Sequence, residues 1–137
     1  MTGEWEIDHV AIVVGDLDAA LELYTRTLGF KQVYRETIAD QGVEAVGLGA
    51  GDAVIELLRP LDPDSAIACY RGDAPTKLHH TAYRVENLEA TLADLKSKGV
   101  RLIDERPRAG AHGNRIAFLH PKSTGDVLIE LCERSKG

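Results

Sequence analysis

The chain has 137 residues, enough for one domain or for a duplicated pair of half-size modules. Hydrophobic content of 44% and charged content of 28% exclude a disordered chain, and a net charge of −6 argues against a nucleic-acid partner. No apolar run approaches the roughly 20 residues that cross a bilayer. The acidic start, Met1 to Ile7, lacks the basic and apolar parts of a signal peptide, so a cytoplasmic protein with no membrane partner is expected.

Taken in chain order, Ile7–Val13 reads as a strand in which Ile7, His9 and Ala11 share one face. Asp16 is a fitting N-cap for a helix whose Leu17, Ala20, Leu21, Tyr24 and Leu28 recur at helical spacing, with Gly29 as the stop. Strands are then predicted over Phe30–Glu36, Val43–Gly49 and Val54–Leu58. A connector over residues 61–77 has room for a short helix, Ser65–Tyr70. The pattern then begins again. Leu78–Arg84 reads as a strand, and Asn87 caps a helix with Leu88, Thr91, Leu92 and Leu95 before Gly99. Further strands are expected over Arg101–Glu105, Arg115–His120 and Leu128–Cys132.

The repetition has a fixed offset. His80 follows His9 by 71 positions, and Leu17, Ala20, Leu21 and Tyr24 map onto Leu88, Thr91, Leu92 and Leu95 at the same interval. This predicts an α+β fold of two tandem βαβββ modules packed about a pseudo-twofold axis. The whole chain, 1–137, would be a single domain, with module one at about 6–60, the connector at 61–77 and module two at about 78–133.

Each half also supplies one histidine and one glutamate inside otherwise apolar strands: His9 with Glu56, and His80 with Glu130. A carboxylate on a packed face is costly unless it is paired or binds a cation. Two imidazoles and two carboxylates suit one divalent ion of the Co, Ni, Mn, Zn or Fe kind and leave positions open for water or substrate. A lone strand histidine is more often hydrogen-bonded structure, but the duplication places both residue types at equivalent positions twice. His79 should face away from His80. His112, in the glycine-rich loop Arg108–Arg115, reads either as a substrate contact or as an ordinary loop residue. Cys69 and Cys132 have no metal or redox spacing and are expected to be free thiols.

Ile7-Asp-His-Val-Ala11, Ile55-Glu-Leu-Leu-Arg-Pro60, Leu78-His-His-Thr-Ala82, Gly110-Ala-His-Gly113 and Phe118-Leu-His-Pro-Lys122, the last leading through Gly125 to Val127-Leu-Ile-Glu130, form a set of motifs. In these the chain resembles the vicinal oxygen chelate (glyoxalase/bleomycin resistance) superfamily and, within it, the methylmalonyl-CoA epimerase family. The resemblance runs from Ile7 to Glu133. It implies a curved mixed sheet around one divalent metal, Co²⁺ first and otherwise Mn²⁺, Ni²⁺ or Zn²⁺, on His9, Glu56, His80 and Glu130. It implies a coenzyme A thioester substrate whose C2 proton is moved through an enolate, and a homodimer. Glu130 falls on the position of a catalytic base. A further glutamate found in some bacterial members falls on Ala45, while Glu44 comes one residue early and would face the other way. Pseudo-symmetry then suggests Glu56 as the second catalytic group.

A basic group of Arg106, Arg108, Arg115 and Lys122 surrounds the implied site, and Lys122, His112 and Arg115 are the expected substrate contacts. Lactoylglutathione lyase activity is the alternative reading. His-Pro-Lys-Ser in place of that group's usual Asp-Pro-Asp-Gly weighs against it. A non-catalytic small-molecule-binding protein of the same fold is the third, and it would not need all four metal-ligand residues.

Overall fold

From Asp8 onward both faces of the first strand, β1 (Glu6–Val14), are at least half-buried in a computed structural model that describes residues 4–135. The chain divides into two units, His9–His79 and the described residues on either side of that stretch. Both boundaries fall immediately before one of the two duplicated histidines, inside strands β1 and β5 (Thr76–Arg84).

In the unit His9–His79, β1 leads into α1 (Leu17–Leu21), β2 (Lys31–Ile38), β3 (Val43–Ala50), β4 (Ala53–Pro60) and α2 (Ala66–Arg71). The strands lie in the order β2-β3-β4-β1, with β1 parallel to β4 and the other pairs antiparallel. One face is packed under the helix by Val14, Leu17, Ala20, Val46, Leu48 and Leu57, joined by Ile12, Tyr24 and Ile55. Removing this apolar surface from water drives the unit together, at roughly 25 cal/mol per Å². Asp16 caps α1 as predicted, its carboxylate accepting from the Ala19 N–H at 3.0 Å.

The predicted single helix to Leu28 needs correction. Regular α-helix ends at Leu21, and Glu22–Thr27 winds as a wider π-type turn, with the Leu28 N–H bonded to the Leu23 carbonyl at 2.9 Å. Within it the Thr25 hydroxyl donates to the Leu21 carbonyl at 2.6 Å, the acceptor that its own N–H uses in a regular helix.

The second unit carries β5 into α3 (Leu88–Ser97), then β6 (Arg108–Ala109), β7 (Arg115–Phe118) and β8 (Ile129–Glu133). Their order is β5-β8-β7-β6, with β5 parallel to β8 and antiparallel pairing elsewhere. Its core repeats the first: Val85, Leu88, Leu92, Ala117, Leu119 and Leu131 lie under α3, which Asn87 caps. Each unit thus follows the order strand, helix, three strands.

A strand over Arg101–Glu105 does not form. Only Leu102 bridges, to Leu119. The Ile103 and Asp104 N–H groups converge on the Phe118 carbonyl, and the Asp104 carboxylate accepts the Phe118 N–H at 2.9 Å. That knot uses the ladder's bonding groups on one residue, and Pro107 offers no N–H to resume it. Pairing restarts only at Arg108.

Candidate metal centre

β1 and β4 run parallel, with Ala11 opposite Glu56. Ile12 and Val14 point at α1, so His9, Ala11 and Val13 occupy the other face, and Glu56 and Leu58 join them there from β4. His9 and Glu56 are buried, at 6% and 3% exposure. The His9 Nε2 stands 3.9 Å from the Glu56 Oε1.

β5 and β8 repeat the arrangement, with Ala82 opposite Glu130. His80 and Glu130 are buried on the face away from α3, with Nε2 and Oε1 3.4 Å apart. Separations of 3.4 and 3.9 Å are long for a hydrogen bond. Two ligands each about 2.1 Å from one cation, however, stand roughly 3–3.5 Å apart. The donors are imidazole nitrogen and carboxylate oxygen, which suit a divalent transition metal. The His80–Glu130 pair stands at that spacing and the His9–Glu56 pair a few tenths of an ångström wider, and each offers the donor types for half of such a site. His79 lies on the opposite face of β5 from His80, its ring edge-on to Tyr70 with centroids 5.4 Å apart.

The surroundings fix the pairs. The Phe118 ring meets His80 edge-on, with centroids 5.2 Å apart, and Phe118 lies opposite Glu130 across β7–β8. The Arg108 guanidinium sits 5.6 Å from the centre of the same ring. On the other pair, the Tyr34 hydroxyl donates to the Glu56 Oε2 at 2.6 Å. Neither contact was legible in the sequence. Tyr34 lies after a β-bulge that strand alternation does not foresee, although Gly47 inside an apolar strand was a hint of close approach.

Cys132 shares the buried face of Glu130, where burial above all, then the charge of Asp8, pushes its thiol far above the usual range and keeps it protonated. Asp8 itself is buried and held by the Arg134 Nε at 2.8 Å and the Arg84 Nε at 3.4 Å. Glu44 points to the face opposite Ala45, between Arg35 at 2.6 Å and Arg59 at 2.9 Å. Hydrogen bonds from Arg35 first and Arg59 second hold its carboxyl below the usual carboxylate range.

The expected substrate contacts separate. Arg115 lies on the helix side of β7, bonded to Glu89 of α3 at 2.7 Å and to Glu133 at 3.2 Å, on the opposite strand face from Phe118. His112 is exposed in the turn Ala111–Gly113 with a left-handed backbone, φ 59°. Gly110, at the base of that turn, packs so closely on Ile116 that a Cβ would lie 2.6 Å from its side chain, and Ile116 shares the Phe118 face. Lys122 is exposed in the turn Pro121–Ser123, where its N–H donates to the His120 Nδ1 at 3.1 Å.

Residues 8–118 match the glyoxalase/bleomycin resistance protein/dioxygenase superfamily. The chain is 39% identical over 127 residues to the ethylmalonyl-CoA/methylmalonyl-CoA epimerase of Cereibacter sphaeroides, a match spanning 91% of this chain and 95% of that protein. The crystal structure of methylmalonyl-CoA epimerase from Mycobacterium tuberculosis superposes with a TM-score of 0.89 at 42% identity, covering 94% of this chain and 87% of that one. A methylmalonyl-CoA epimerase in complex with methylmalonyl-CoA and NH4+ gives 0.91 at 36% identity over 98% and 97% of the two chains. A lactoylglutathione lyase of Arabidopsis thaliana is more distant, at 26% identity over 126 residues and 43% of its length. Among the described residues, no helix is long and apolar enough to cross a membrane.

Proposed function

The chain belongs to the glyoxalase/bleomycin resistance protein/dioxygenase superfamily and, within it, to the methylmalonyl-CoA epimerases, and on that premise we propose that it epimerises methylmalonyl-CoA at C2. The observation that carries the reading is the buried imidazole–carboxylate pair, present once in each unit on parallel neighbouring strands. The proposal joins the two pairs into one site of four ligands, His9, Glu56, His80 and Glu130. A divalent cation held there, Co²⁺ in the first instance and Mn²⁺, Ni²⁺ or Zn²⁺ otherwise, would act as a Lewis acid toward the thioester and carboxylate oxygens.

The residues then divide the proton work. The C2 hydrogen lies between a thioester carbonyl and a carboxylate, so its loss leaves an enolate. Glu130, ionised, accepts that proton, and Glu56, its counterpart in the duplicated unit, starts the cycle carrying a proton taken from solvent and gives it to the other face, after which exchange with water resets both carboxyl groups. Apolar neighbours such as Ala11, Ala82 and Phe118 are buried and exclude water from the carboxylates. Lys122 and His112, both exposed in turns, serve as contacts for the substrate's anionic groups. Arg115 is left out, because Glu89 and Glu133 hold it on the helix side. The proposal extends to a single cytoplasmic domain acting as a homodimer; sedimentation of the purified chain checks the dimer, and fractionation of the cells that make it checks the location.

The deciding experiment is incubation with methylmalonyl-CoA in deuterated buffer. The wild type should wash deuterium into C2 without net loss of substrate, and Glu130→Gln should lose that exchange. Exchange by Glu130→Gln at near the wild-type rate removes Glu130 as a base. Turnover of methylglyoxal with glutathione in place of C2 exchange would favour the lyase instead.

A further inference from the structure

A carboxylate that serves as a metal ligand has two oxygens, and something must decide which one faces the cation. In the unit His9–His79 that role falls to a three-strand device. β2 and β3 pair regularly at Lys31↔Gly49 and Gln32↔Leu48, but the next pair is Tyr34↔Gly47, so Val33 is an inserted residue. Leu48 faces the helix-packed core. Without the insertion, Tyr34 would lie opposite Val46 and also face that core. The bulge turns it over.

Once turned, the tyrosine needs a path across β3. Gly47 provides it. A Cβ at Gly47 would collide with the Tyr34 ring, so only glycine lets the ring lie flat across the strand. Gly47 is in turn paired with Glu56 on β4, which sets Tyr34, Gly47 and Glu56 in one row across three strands. At the end of the row the phenol donates to the Glu56 Oε2 at 2.6 Å, while Oε1 is the oxygen directed at the His9 Nε2.

We propose that Tyr34 is a positioning residue for the metal centre: through the gap left by Gly47 it holds the Glu56 Oε2 and presents Oε1 as a single-oxygen ligand. The inference rests on the metal site of the preceding section and deepens it. Hydrogen bonds to ligating carboxylates restrict their orientation, and losing such a partner typically costs 10–100-fold in metal affinity.

The test uses the full chain, stripped with a chelator and titrated with Co²⁺ alone, followed by calorimetry and by the visible absorption of the bound ion. Tyr34→Phe, which keeps the ring, should weaken Co²⁺ binding about 10-fold or more and alter the absorption band. Gly47→Ala should do the same by pushing the ring away. The double variant should be no worse than either single one, because both act through one contact. Thermal unfolding of the stripped proteins separates this from a structural role, which would lower their stability but leave the Co²⁺ spectrum of the folded protein unmoved. Wild-type affinity and an unaltered spectrum in Tyr34→Phe overturn the inference while leaving the metal site standing. Failure of the wild type itself to bind Co²⁺ overturns the metal site and the inference together.

Discussion

Glu44 and Ala45 are consecutive in β3, yet the glutamate ends between Arg35 and Arg59 while Ala45 is fully buried on the other face, opposite Leu58. The carboxylate that some relatives carry on the Ala45 face is therefore not replaced by Glu44. Glu44→Gln should leave C2 deuterium exchange at the wild-type rate. The carboxylates on the correct face are Glu56 and the half-buried Glu36, which pairs across the ladder with Ala45. With Glu56 as second base, Glu36→Gln should retain exchange and Glu56→Gln should lose it. The reverse result would transfer the role to Glu36.

The same ion pairs predict a pH dependence. Arg35 and Arg59 lower the Glu44 carboxyl in the folded protein, so its contribution is fully present above the unfolded value of about 4.3. It is lost as the pH falls through the lower folded value, where the group is protonated in both states. With both arginine side chains about two-fifths exposed, solvent screening keeps that contribution small. Urea unfolding should show Glu44→Gln slightly less stable than wild type at pH 7, with the gap closing in strong acid. A gap that widens in acid would contradict the assignment.

The duplication was legible because it lives in side-chain spacing: the helix caps, the helix-facing residues and the two histidines repeat at 71 positions, and each closing strand offers one glutamate inside an apolar run, at an offset of 74. Features set by backbone detail were not. Strand alternation cannot foresee the bulge at Val33, and without it Tyr34 points the wrong way. The lost strand at Arg101–Glu105 depends on Asp104 bonding Phe118, a contact 14 residues away. The wide turn after Leu21 is a shift in backbone hydrogen bonding that the helical spacing of side chains does not reveal. The ion pairs of Arg115 with Glu89 and Glu133 follow only from its position on β7, which charge pattern does not give.

The two helix-facing cores make parallel predictions for stability. Leu57 and Leu131 are both fully buried, one beneath each packed helix. Leu57→Ala and Leu131→Ala should each cost about 2–5 kcal/mol, measured by urea unfolding of the stripped protein. A loss under about 1 kcal/mol at either site would mean that its core collapses around the gap.

Cys69 is exposed and Cys132 fully buried, with burial raising the thiol of Cys132. The thiolate is the reacting form, so the native protein at neutral pH should give one fast-reacting thiol with a disulfide reagent. The second should appear only on unfolding, and Cys69→Ser should remove the fast phase. Rapid labelling of Cys132 in the native protein would show that its face opens to solvent.

On the proposed four-ligand site, a bound cation should stabilise the fold by mass action. At free Co²⁺ a hundred times its dissociation constant, the gain is about 2.7 kcal/mol. For a chain of this size that is roughly a 10 °C rise in unfolding temperature over the stripped protein. His9→Ala and His80→Ala lie in different units, so a shared ion requires that each variant alone lose most of the rise. Glu44→Gln, outside the site, should keep it. Scanning calorimetry with and without Co²⁺ reads all four proteins. A full rise surviving in either histidine variant would mean that the ion is held by the other pair without it.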